Sequence, residues 1–95
     1  MISIVDIIEL RDLNNHHRAT LRRVFEKPTS ASIRFADLES LLRALGAEVT
    51  EGKGSRIRFD LQDEQWHTHR PHPGVEAKRY QVRELQELFG RLGIG

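Results

Sequence analysis

The sequence predicts a small α+β domain in which amphipathic helices cover one face of a small antiparallel sheet. Three observations carry this reading. The segments "ADLESLLRALG" and "AKRYQVRELQELFGRLG" place apolar residues at helical spacing. Between them "SRIRFDL" alternates apolar and charged residues, the period of a strand with one buried face. Glycine and proline punctuate the changes of period, at "GKG" and "PHPG".

The elements follow in order. Residues 1–12 are apolar with an acidic residue at every third position, a pattern that fits either a short amphipathic helix or an edge strand. "NNHHRATLRRVFEKP" reads as a helix capped by Asn14 or Asn15, with Leu21, Val24 and Phe25 on one face and Pro28 ending it. "TSAS" is a linker. In the next helix Leu38, Leu41, Leu42 and Leu45 follow the i, i+3, i+4, i+7 pattern, Asp37 sits near the start, and Gly46 occupies the position just past the end.

Ile57, Phe59 and Leu61 then alternate with Arg56, Arg58 and Asp60. "QDEQ" is a turn, and "WHTHR" is the returning strand of a hairpin within a sheet of two or three strands. If Trp66 and Thr68 point inward, His67 and His69 share the open face with Arg56 and Arg58. In the last helix Val82, Leu85, Phe89 and Leu92 form the core face and Gly93 follows the end.

A chain of 95 residues with a formal net charge of +1 is sized for one domain. It contains no cysteine, which excludes disulfides, thiolate nucleophiles and cysteine-ligated zinc. It has no apolar run of membrane-spanning length, and "MISIVDIIEL" lacks the basic start and cleavage site of a signal peptide, so a cytoplasmic location with no membrane association is expected. Charge is unevenly placed: residues 52–83 carry seven Lys and Arg against four Asp and Glu. Such a region suits an anionic partner, although solvated surfaces share the pattern.

The histidines are the candidates for chemistry. His67 and His69 are either exposed strand residues without a task or acid/base groups. A zinc site from His67, His69 and His72 would need a carboxylate such as Asp60. No spacing here is strongly metal-like, and no metal or cofactor is expected. "GKGS" precedes a strand, not a helix, and lacks the spacing of a phosphate-binding loop, so it reads as a hairpin turn. Trp66 falls on the inward phase and reads as core.

From Phe35 to the end, about the last two-thirds of the chain, the sequence resembles the HicA family of toxin–antitoxin systems. The resemblance rests on "DLESLLRALGAEV", "EGKGSRIRF", "HRPHPG" and a final amphipathic helix ending "RLGIG", in that order. It implies a fold of the double-stranded-RNA-binding-domain type, mRNA cleavage, and a HicB antitoxin as partner. The domain would span 35–95, with 1–34 an N-terminal extension carrying one helix.

The family's Gly-Ser-His triplet, whose histidine is catalytic, stands here as Gly54-Ser55-Arg56. That histidine is not carried over; His72, followed by Pro73, matches the family's later His-Pro element. The expected catalytic set is therefore His69, Arg56 and Ser55, with His69 as base and Arg56 as phosphate clamp. Lys53, Arg58, Arg70, His72, Lys78, Arg79 and Arg83 are the expected RNA contacts. The alternative is a catalytically weakened module that binds RNA or antitoxin.

Overall fold

The computed structural model of the chain describes residues 13–95. The expectation of a helix or edge strand over 1–12 lies outside the described residues. The elements are α1 (Asn15–Val24), α2 (Phe35–Ala44), β1 (Glu48–Glu51), β2 (Arg56–Leu61), β3 (Glu64–His69) and α3 (Arg79–Leu92). The α+β class read from the periodicities is the observed one.

Asn14 caps α1, its side chain accepting the His17 N–H at 2.8 Å. At the other end, Gln86 of α3 donates to the Val24 carbonyl at 2.6 Å, satisfying an acceptor that the helix itself leaves open. Val24 is fully buried, and Phe25 packs on Phe89 with ring centroids 6.3 Å apart.

α2 begins at Phe35 and buries Leu38, Leu41, Leu42 and Leu45. It closes through Gly46 at φ 102°, where the Gly46 N–H reaches the Arg43 carbonyl and the Ala47 N–H the Leu42 carbonyl. This paired closure needs a left-handed residue, the conformation glycine adopts at least cost. α3 ends in the same way at Gly93.

The sheet order is β1-β2-β3, antiparallel throughout. "WHTHR" does return as a strand, but β3 starts earlier, at Glu64. The turn "QDEQ" therefore shrinks to Gln62–Asp63, and Leu61 pairs with Glu64.

Ile57, Phe59, Leu61, Trp66 and Thr68 face the helices and are buried. Trp66 stacks on Phe59 at 5.4 Å, and its indole N–H donates to Glu84 at 2.9 Å. On α3 the core face is Val82, Leu85, Leu88 and Phe89; Leu92, expected there, sits half-buried at the margin.

One buried polar side chain joins the layers. Gln81, 1% exposed, accepts from the Lys78 N–H and donates to Thr68 Oγ1 and to the His69 carbonyl, the two donor contacts at 2.8 Å. The first turn of α3 is thereby fastened to the end of β3.

Candidate nucleic-acid interface

Alternation on β2 and β3 sends every second side chain to the sheet's outer face, which the helices leave uncovered. The register sets these side chains in rows: Arg56 opposite His69, Arg58 opposite His67, and Asp60 opposite Gln65. Thr50 of β1 extends the middle row by pairing with Arg58. Directly opposed residues of an antiparallel pair hold their Cβ atoms about 4.5–5.5 Å apart, so each arginine and its histidine can reach one small ligand group.

The rows form a shallow concavity of about 440 Å³, lined by Arg56, Arg58, His67 and His69 together with Thr50, Gly52 and the acidic Glu51. Gly52 shapes its rim, since a Cβ there would stand 3.0 Å from the Arg56 Cβ.

The arginines differ in freedom. Arg56 is exposed and makes no side-chain ion pair among the described residues. Arg58 donates to Asp60 at 2.9 Å, which fixes its guanidinium on the face while halving the local charge. His67 approaches Gln65 Oε1 at 3.4 Å, whereas His69 has no side-chain partner among the described residues.

Ser55 lies exposed in the turn entering β2, beside Arg56, and its carbonyl accepts the Arg70 N–H at 2.8 Å. Lys53 is exposed in the same turn. His72 lies in the segment between β3 and α3, outside the concavity.

Arg70, at the exit of β3, is held on three sides. It donates to Glu39 of α2 at 2.8 Å, pairs with Glu51 of β1, and sits 5.9 Å from the centroid of the Phe35 ring. Its hydrogen bonds to Glu51 and then to Glu39 push its already high pKa further up. Burial pushes the Glu39 carboxyl up, but hydrogen bonds from Arg70 and Arg43 outweigh that and hold it below the usual carboxylate range. Arg70 thus works as a strut linking α2, β1 and the end of β3. Its carboxylate partners lie 31 and 19 residues away, beyond any local sequence pattern.

The remaining basic candidates are elsewhere. Lys78 precedes α3, while Arg79 and Arg83 are exposed on it, on the helical side of the molecule and outside the concavity. Arg79 donates to the Thr29 carbonyl at 3.2 Å. The expected RNA contacts therefore fall into two groups on different sides. Among the described residues no three His, Asp or Glu side chains group as metal ligands do, and no helix is long and apolar enough to cross a membrane.

Fold and surface together define a small α+β domain of the double-stranded-RNA-binding type whose open sheet face pairs arginines with histidines. Residues 35–90 match the HicA toxin of bacterial toxin–antitoxin systems. That match covers more than half of the chain, and the chain belongs to the HicA toxin family. No curated protein and no solved structure matches it.

Proposed function

We propose that the chain is the toxin of a type II toxin–antitoxin system and cleaves mRNA in the cytoplasm at the outer face of its sheet. The observation that carries this reading is the cross-strand pair Arg56–His69 on an open concave surface.

In the proposed reaction the His69 imidazole takes the proton of a ribose 2′-hydroxyl, and the 2′-oxygen attacks the adjacent phosphorus. The bond from phosphorus to the 5′-oxygen breaks, leaving a 2′,3′-cyclic phosphate. The departing 5′-oxygen takes a proton from solvent water and leaves as a 5′-hydroxyl, and His69 returns its proton to solvent. Arg56 balances the charge that builds on the phosphorane, where a planar, permanently charged guanidinium is well suited. Ser55 adds a hydroxyl beside the same phosphate, and Arg58 and Lys53 bind neighbouring phosphates. A HicB-like antitoxin silences the protein by covering this face.

A second reading is favoured by one residue. Arg56 stands where the family's triplet has histidine, so the same fold could serve as a binding module for RNA or antitoxin. Incubation of the purified protein with a short RNA in EDTA separates the two. Cleavage to cyclic-phosphate ends is expected; binding without cleavage favours the module, and activity that returns only on adding a divalent metal rejects the metal-free reaction.

A further inference from the structure

The part of the chain before Phe35 contributes to a second basic cleft on the helical side, between the end of α1, the connector that follows it, and the start of α3. Its volume is about 440 Å³. Arg23, Lys27 and Arg79 line it from these three segments, and Glu26 is the acidic residue among its lining side chains.

The cleft is built rather than incidental. Arg23 Nη2 donates to Ser32 Oγ at 2.8 Å and to Ser30 Oγ at 3.4 Å, and the two hydroxyls lie 3.2 Å apart. Arg79 Nε holds the Thr29 carbonyl at 3.2 Å, which ties the connector to α3. Glu26 pairs with Arg23 at 3.5 Å, and the charge left over is that of Lys27 and Arg79, neither of which has an ion-pair partner among the described residues. Cations and hydroxyls converging on an open cleft suit the oxygens of a phosphate.

We infer that this cleft is a second phosphate-contact site, which binds the backbone of the single-stranded RNA held at the sheet; the inference rests on the proposed function for the identity of the ligand. The fold connects the two places. Gln81, two residues beyond Arg79, is bonded to the carbonyl of His69, so the start of α3 abuts the end of the strand that bears the proposed base. An RNA strand passing round that end of β3 leaves the concavity and meets the cleft. The segment before the family match would thereby lengthen the RNA footprint without touching the reacting atoms.

The test measures the salt dependence of binding to a 2′-O-methylated single-stranded RNA, which binds but lacks the free 2′-hydroxyl needed for cleavage. Wild type is compared with Lys27→Gln, Arg79→Gln and the sheet-face pair Arg56→Ala, Arg58→Ala. Lys27 is exposed and unpartnered among the described residues, so its replacement leaves the fold intact. Each cleft variant is expected to lower the slope of log affinity against log salt by about 0.7, the value for one phosphate contact on a single strand.

Unchanged slopes for both cleft variants, with a reduced slope for the sheet-face pair, would overturn the inference and leave the proposed function standing. Reduced slopes for the cleft variants with none for the sheet-face pair would support the cleft and remove the sheet face as the RNA site. Equal loss of binding to polyglutamate would make the cleft a contact for acidic proteins and overturn the assignment to RNA.

Discussion

At the scale of single residues, the outer face of the sheet depends on which side chains are committed to other contacts. His69 is exposed, unpartnered among the described residues and opposite an arginine; His67 is exposed but lies opposite an arginine already bound to Asp60. The proposed base is therefore His69. His69→Gln is expected to lower single-turnover cleavage by about 10²-fold or more, the usual size for losing a general base, with RNA affinity nearly unchanged. Arg56→His, which restores the family's triplet, is expected to raise cleavage. Equal rates for wild type and His69→Gln would remove the assignment.

Arg70 illustrates what the sequence could not show. It reads as one more cation in a basic stretch, yet its guanidinium is bound to two carboxylates. Arg70→Met should leave Glu39 with Arg43 alone and cost about 1 kcal/mol, a modest figure because Arg70 is partly solvated. The pH dependence follows from the lowered Glu39 pKa. A carboxylate whose pKa is depressed on folding stabilises the fold above its unfolded pKa, and that contribution is lost as pH falls through the folded value. Wild type should therefore lose stability more steeply than Arg70→Met from about pH 5 downward, and urea titrations at several pH values would show the two curves converging.

At the scale of elements, periodicity was a reliable guide wherever one face is buried against an apolar layer. The alternation in "RIRFDL" correctly separates buried Ile57, Phe59 and Leu61 from the outer row, and Gly46 and Gly93 mark real left-handed helix ends. The errors have identifiable causes. The turn before β3 is shorter than composition suggests, because Glu64 and Gln65 join the ladder through backbone bonds to which their side chains are indifferent. On α3 the buried stripe runs through Leu85, Leu88 and Phe89, while Leu92, one turn further on, is only partly buried against it.

Gln81 was not legible as a core residue, since a glutamine in an amphipathic helix ordinarily faces water. Burial here is compensated by its three hydrogen bonds. Gln81→Leu keeps the volume but strands the Lys78 N–H and the His69 carbonyl. The expected cost is about 2–4 kcal/mol, since each buried polar group left unpaired costs roughly 1–3 kcal/mol. It should also loosen the end of β3, seen as faster amide exchange around His69 with little change in β1.

At the scale of the whole molecule, the described chain is one core with two differently furnished sides. α1, which precedes the family match, shares that core through Val24 and Phe25, and two histidines bind it to α2: His16 lies 3.2 Å from Asp37 and His17 2.9 Å from Ser40. Treating 1–34 as an extension added to a 35–95 domain thus remains a proposal about its origin; physically α1 is part of the packing. The helices bury their leucines against one side of the sheet, and this arrangement leaves the other side polar, concave and open to a partner.

A toxin of this size is silenced most directly by occupying the surface its substrate needs. The proposed antitoxin should therefore contact the rows Arg56–His69 and Arg58–His67, and its complementary surface should be acidic. RNA and antitoxin are then expected to exclude one another: addition of antitoxin should displace a labelled RNA completely, and the Arg56→Ala, Arg58→Ala pair should weaken both complexes. A ternary complex containing both ligands at saturating concentrations would show that the antitoxin binds elsewhere. Silencing would then have to act through the end of β3, where Gln81 and Arg70 fix the strand that carries His69.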